Sequence, residues 1–440
     1  MLLKEISWIR AKSGKMCPML KKAALNRYRP LRGVPCFIQQ PLKFIKQRLF
    51  AIPVVVQLHD HIPGALHMND LAAFVGCRVN KELSVINAFS TRVNMKKLES
   101  LVGNRSVKKV WYDREVRAVL DVASPTVQAP SMWERMLTGK GITVAVLDTG
   151  VYNHPDLAGR IKGFKDCINR KDGPYDDNGH GTHVAGDIAS NGSKSGLLYR
   201  APAPEAEIVG VKVLDKNGSG TISTVIEGLQ WCIDKREELS IKVANLSLGA
   251  QASESYRDDP VCQAVEKVWR AGIVVCVAAG NDGPELNSIS SPGIDPLVIT
   301  VGALNDAGTI EPGDDAVADF SSRGPTVDNL VKPDVLAPGT NIISLRAPGS
   351  MTDKKSKKTR VGQWYASFSG TSMATPVCAG VVAQMLQLNN SMPPEQVKAR
   401  LMETARKLSG LDPNVQGAGV IDIKKAAQYS GAAGGPAPNV

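Results

Sequence analysis

The sequence predicts an α/β protein whose main region is a parallel sheet, preceded by a small α+β unit, and three observations lead there. From residue 131 to 428, continuous Val/Ile-rich runs alternate with helical patterns, as in parallel strands covered on both faces. Hydrophobic residues make up 43% of the 440-residue chain and aromatics only 5%, which suits a large packed core better than a disordered scaffold. Ahead of this region, residues 51–120 read as short strands and helices in the order β-α-β-β-α-β, the split βαβ (ferredoxin-like) pattern.

Residues 1–50 hold twelve Lys/Arg against Glu5 alone, so the net charge of +11 belongs to a basic N-terminal arm and the remainder is near neutral. The main region therefore has no charge excess for nucleic acid. Phosphate binding, were it a function, would rest on the arm and depend steeply on salt. No stretch approaches the 18 apolar residues of a membrane span. Lys4, Glu5, Arg10, Lys12, Lys15, Lys21 and Lys22 interrupt each apolar run near the start, which leaves no room for a secretory signal. A cytoplasmic protein is expected. The eight cysteines (17, 36, 77, 167, 232, 262, 276 and 378) lack paired or finger-like spacing and read as free thiols.

Within the small unit, 52–58 is β-like, 70–79 helical, and 81–93 alternates well enough for a strand that bends into two. Asn94 caps a helix with Met95, Leu98, Leu101 and Val102 on one face, and 107–112 resumes β character. In the main region the strands are 142–147, 207–214, 242–248, 272–279, 297–304 and 341–345, with helices at 131–139, 182–190, 222–239 and 260–271. Residues 430–440, SGAAGGPAPNV, are too poor in apolar side chains to pack and form a disordered tail.

Ligands of such sheets bind at the carboxyl ends of the strands. The first strand ends in Asp148 of VAVLDTG, a carboxylate at the point where apolar burial stops, though Asp before Gly150 also serves as a turn former. NGHGTHVAG, 178–186, carries His180 and His183. Two zinc ligands on one helix face need i, i+4 spacing with Glu beside the first; here the spacing is i, i+3 with Gly181 in that place. FSGTSMATP, 368–376, puts Ser372 where a helix of small residues begins, a position a hydroxyl also takes as a simple cap. Together, Asp148, His180 and Ser372 supply a nucleophile, its base and the anion that orients the base. Ser372 N–H and Asn281, at the end of VAAGN, supply donors for an oxyanion. A silent binding protein on the same fold is the competing reading, and the intact set argues against it.

Over 131–428 the chain resembles the subtilisin-like serine proteases, through DTG (148–150), HGTHVAG (180–186), AAGN (278–281) and SGTSMATP (369–376). The resemblance implies a doubly wound subtilisin-like fold and a serine endopeptidase that needs no cofactor for its chemistry. It makes Ser372 the nucleophile, His180 the base, Asp148 the orienting carboxylate and Asn281 the oxyanion donor. Substrate is then held as an added strand by Gly218, Ser219, Gly220, Ser247, Leu248 and Gly249, and by Ala278, Ala279 and Gly280. Ala250 stands where the family usually has a second Gly, which puts the shape of the pocket in doubt. Residues 51–120 resemble the family's prodomain, which chaperones folding and inhibits the enzyme, with the peptidase at 121–429. A self-processed zymogen follows, cut within 118–124 and best after Leu120. The family's calcium position is matched by Asp156 in HPDL, without the usual asparagine-rich partner loop in 190–196. The basic run 353–360 reads as a solvated loop. The lack of a signal peptide, the free cysteines and YDDNGHGTH (175–183) make the chain most similar to the intracellular AprX-like subtilases.

Overall fold

The computed structural model describes residues 6–28, 51–59, 67–83, 87–112 and 120–429, in two units, Met1–Val116 and Arg117–Val440. Residues 29–50 with Cys36, the 113–119 junction and the 430–440 tail lie outside the described residues.

In the first unit, Ile52–Leu58 buries alternate residues and lies between two antiparallel neighbours, Ala88–Val93 and Val107–Tyr112. Lys81–Leu83 adds to the outer edge of Ala88–Val93, so the expected strand 81–93 is indeed two. Helix Met95–Gly103 starts as the sequence indicates, with Asn94 Oδ1 accepting from Lys97 N at 3.0 Å. The reading of 1–50 as an arm needs correction over 6–28. Helices Ser7–Ala11 and Pro18–Tyr28 drive Ile9, Leu20, Ala24 and Tyr28 into the core that holds Val54 and Val56. Leu20, Ala24 and Tyr28 recur every fourth residue, one helical face. Arg10 and Lys12 remain exposed, so the basic residues that dominate the composition there coat the outside of a packed element.

The second unit is an eight-stranded sheet. Seven strands run parallel in the order Ile161–Asp166, Glu207–Lys212, Thr143–Asp148, Ile241–Leu246, Val274–Ala278, Ile299–Asn305 and Val335–Pro338. Ala316–Val317 pairs antiparallel with Leu304 and Asn305. Every side chain of Thr143–Asp148 and of Val274–Ala278 is buried, which requires helices on both faces. His180–Ala189 packs with Thr371–Leu388, and Ile222–Asp234 packs with Pro260–Arg270. One expected strand belongs elsewhere: Ile342–Leu345 pairs antiparallel with Tyr365–Phe368, in a three-stranded sheet completed by Arg360–Val361. The expected helix 131–139 is only one turn, Pro130–Trp133. The seven described cysteines are free thiols, and among the described residues no helix is long and apolar enough to cross a membrane.

Candidate active site

Asp148 closes the central strand with its carboxylate fully buried. His180 opens helix His180–Ala189, and its Nδ1 lies 2.8 Å and 3.0 Å from the two Asp148 oxygens. The close approach depends on glycine: a β-carbon on Gly181 would collide with the Gly150 carbonyl and lie 3.0 Å from Asp148 Cβ. Burial alone pulls the His180 imidazolium pKa down. The charge and hydrogen bond of Asp148, with Asp176 and Asp187 behind it, outweigh that pull and hold it above the ordinary 6.5.

Ser372 stands in the first turn of helix Thr371–Leu388, where main-chain N–H groups have no intrahelical partner. Its hydroxyl donates to the Ser247 carbonyl at 3.2 Å, and Ser247 Oγ donates back to the Ser372 carbonyl at 2.8 Å. The structure thus joins Asp148 to His180 directly, while the hydrogen bond it gives the Ser372 hydroxyl is to Ser247. Asn281 faces Thr371: its Oδ1 accepts from Thr371 N at 2.9 Å and from Thr371 Oγ1 at 3.1 Å. A main-chain N–H can only donate, so the oxygen of this amide is fixed and Nδ2 remains as the outward donor.

Two residues the sequence reading passed over organise the site. The buried Asp176 carboxylate accepts from Thr149 Oγ1 (2.9 Å), Gly179 N (2.8 Å), Asn178 N (3.1 Å), and Thr182 N and Oγ1 (2.9 and 2.6 Å). It ties the turn after Asp148 to the start of the His180 helix. Thr371 fixes the Asn281 amide and accepts from Gly280 N at 3.3 Å. Both lie inside motifs already noted, and an Asp shortly before a helix start is a recognisable cap signal. His183 is fully buried, its Nε2 at 3.1 Å from the carbonyls of Ile342 and Ala366, so it serves packing.

The expected substrate segments divide by exposure. Gly218, Ser219 and Gly220 lie in an exposed loop shaped by Asp215, which accepts from Ser219 N at 3.0 Å. Leu248 is half-buried and Gly249 exposed, Ala278 and Ala279 are buried, and Gly280 has φ 109°. Ser247 is buried and braces Ser372 through its main-chain carbonyl.

The residues around Asp156 do not fit the expected calcium. Its buried carboxylate already accepts four hydrogen bonds, from Ser190 Oγ (3.1 Å), Ser193 Oγ (2.8 Å), Lys194 N (3.0 Å) and Tyr365 OH (2.7 Å). Calcium needs six to eight oxygens with lone pairs turned inward; here N–H and O–H donors of the 190–196 loop point in. Among the described residues no three His, Cys, Asp or Glu cluster to hold a metal. Asp156→Ala leaves these donors unpaired and is expected to destabilise the peptidase by about 3 kcal/mol or more. Thermal melts with and without added calcium check this: the loss stays the same in both, and recovery with calcium would contradict it.

The profile of the Subtilase family (Peptidase_S8) matches residues 139–419. The chain is 45% identical over 436 residues to "Serine protease AprX" of Bacillus subtilis (strain 168), covering 96% of this chain and 98% of that protein. It is 37% identical over 300 residues to "Subtilisin Savinase" of Lederbergia lenta, covering 68% of this chain and 96% of that protein. A solved structure titled "Crystal structure of a cold adapted subtilisin-like serine proteinase" aligns with TM-score 0.49 and 33% identity, over 65% of this chain and 88% of that one. The chain belongs to the subtilase family of serine peptidases.

Proposed function

We propose that Asp148, His180 and Ser372 form the catalytic triad of this serine endopeptidase, with Asn281 as oxyanion donor. The observation that carries the reading is the double contact of Asp148 on His180 Nδ1, because an acceptor there leaves Nε2 free to take a proton. As an extended peptide enters, the Ser372 hydroxyl exchanges the Ser247 carbonyl for His180; hydrogen bonds of a resting site commonly tighten only with substrate bound. His180 removes the hydroxyl proton while Oγ bonds to the scissile carbonyl carbon, and returns that proton to the leaving amine. Water then repeats the sequence on the acyl-enzyme. Asn281 Nδ2 and Ser372 N–H donate to the oxyanion. The edges at Gly218–Gly220 and Ser247–Gly249 pair with the substrate backbone.

A serine-directed phosphonate tests this. It is expected to label Ser372 alone, at a rate that climbs with pH through a value above 6.5 and levels off in alkali. The imidazolium, held above its ordinary pKa by Asp148, is no base until deprotonated. A label on another residue, or a rate flat from about pH 5 to about pH 9, would contradict the assignment.

The first unit acts as propeptide, chaperone and intramolecular inhibitor, and the chain is a self-processed zymogen. Supporting this are a core of its own and the split βαβ strand order. The cut expected after Leu120 needs correction, because Leu120–Thr126 is a helix that buries Val122 and Ala123 and donates Ser124 Oγ to the Arg200 carbonyl at 2.8 Å. A protease takes extended chain, so the cut moves ahead of the helix, after residue 118 or 119. N-terminal sequencing of the active form, beside a Ser372→Ala control that stays full length, measures this. An active enzyme still carrying Met1 would overturn it. The seven free thiols support a cytoplasmic location.

A further inference from the structure

Residues 346–360, RAPGSMTDKKSKKTR, hold six basic side chains against Asp353 alone. They form more than the solvated loop expected of 353–360, because the segment is moored beside both reacting groups. Toward His180, Met351 N donates to the Asp177 carbonyl at 2.9 Å, and Thr352 N and Oγ1 donate to the Asn178 carbonyl at 2.9 and 2.6 Å. A β-carbon on Gly179 would collide with Ser350 Oγ and Thr352 Oγ1, so the segment lies directly against the turn before His180. Toward Ser372, it ends in Arg360–Val361, which pairs with Tyr365–Phe368, the strand that leads into Ser369–Ser372.

Within the segment one carboxylate organises the charge. Arg346 Nε and Arg360 Nε both donate to Asp353 Oδ1, at 2.6 and 2.7 Å, and Arg346 Nη2 donates to Oδ2 at 3.2 Å. The hydrogen bond from Arg346, then those from Gly349 N and Arg360, hold the Asp353 carboxyl down at about 2, so it is an anion at neutral pH. A single anion cannot neutralise two guanidinium groups. Lys354, Lys355, Lys357 and Lys358 are exposed, and no ion pair reaches them among the described residues. Asp177, on the mooring turn, is itself paired with Lys212 at 2.8 Å and is not available to them. A positive field thus stands uncompensated at a fixed place beside the reacting groups.

We infer that residues 346–360 form a cationic rim on the leaving-group side of the active site and select peptide substrates that carry Asp or Glu just beyond the scissile bond. The inference rests on the triad proposed above. His180 returns its proton to the leaving amine, so the departing chain sets out past His180, toward the turn 177–179 on which the segment is moored. The acyl side runs instead along Gly218–Gly220 and Ser247–Gly249. The chain's own processing segment has the charge this rim would favour: a cut after residue 118 or 119 leaves Asp121 third or second on the departing side.

The experiment uses internally quenched peptides that share one acyl side and carry Asp-Asp, Asn-Asn or Lys-Lys at the second and third positions beyond the bond, with active enzyme counted by phosphonate titration. In low salt, kcat/KM for Asp-Asp is expected to exceed that for Asn-Asn by about tenfold, as two exposed ion pairs give, with Lys-Lys below both. At about 1 M salt the screening length falls to about 3 Å, and the advantage is expected to shrink to about twofold. The same two acids moved to the acyl side are expected to gain less. Combining Lys354→Ser, Lys355→Ser, Lys357→Ser and Lys358→Ser, all at exposed positions, is expected to remove most of the Asp-Asp preference. Wild-type enzyme that takes no phosphonate refutes the triad, and the rim with it. Titratable wild type without the acidic preference, an equal gain on the acyl side, or a titratable variant that keeps the wild-type ratio overturns the rim alone.

Discussion

Ser372→Ala is expected to fold as the wild type does and to lose about 10⁶ in kcat, the loss known for the triad serine of subtilisin itself. The fold is retained because the hydroxyl makes one hydrogen bond, at 3.2 Å to Ser247, while Ser247 Oγ holds the Ser372 main chain and not its side chain. Methyl for hydroxyl therefore leaves the helix start and the Asn281 clamp in place. What disappears is the oxygen proposed to bond covalently to the substrate. Melting temperature and peptide hydrolysis, measured on the same preparation, separate the two effects. Wild-type rates in the purified variant would remove Ser372 from the mechanism, whereas a collapsed melting temperature would show that its role is structural.

The second large effect is expected of Asp148→Asn, a loss of about 10⁴ in kcat. Asp148 Oδ1 accepts from Thr149 N at 2.7 Å, so the single oxygen of an asparagine goes to that place. The amide nitrogen then takes the position of Oδ2, 3.0 Å from His180 Nδ1 and beside the retained oxygen at 2.8 Å, so a donor now competes at Nδ1 where the native carboxylate offers two acceptors. The competing donor shifts His180 toward the tautomer that carries its proton on Nε2, and in that form the nitrogen cannot act as a base. The geometry is isosteric, so the loss should fall on kcat with KM little changed. A variant within tenfold of wild type at neutral pH would mean that Asp148 does not set the tautomer.

The parts of the fold legible in the sequence were those buried on both faces. The runs at 142–147, 207–214, 242–248, 272–279 and 297–304 are dominated by Val, Ile, Leu and Ala, with only single polar residues between them, and each supplies a strand of the parallel sheet. Ile161–Asp166 escaped notice because it is an edge strand whose residues are mostly part-exposed, so IKGFKD has neither a continuous nor a cleanly alternating pattern. Val335–Pro338 is four residues long and ends in proline, below what periodicity can register. Ile342–Leu345 has strand composition, but composition does not specify a partner, and its antiparallel pairing with Tyr365–Phe368 could not be read from it. At the site, the residues with a distinctive chemical task stood out by type. Asp176 and Thr371 did not, because what they do, Asp176 accepting from main-chain N–H groups and Thr371 donating its own N–H to the Asn281 amide oxygen, is visible only once the groups they hold are in place.

The Asp156 clasp bears on how stability depends on the solution. A loop held by a captured ion gains stability in proportion to the logarithm of free ion over its dissociation constant, so its melting point moves with buffer composition. In this corner each donor, from Ser190, Ser193, Lys194 and Tyr365, is covalently part of the same chain. The concentration term drops out, and the ordering of the 190–196 loop becomes an intramolecular closure whose cost is set by loop length alone. Dilution and chelators then leave this corner as it was.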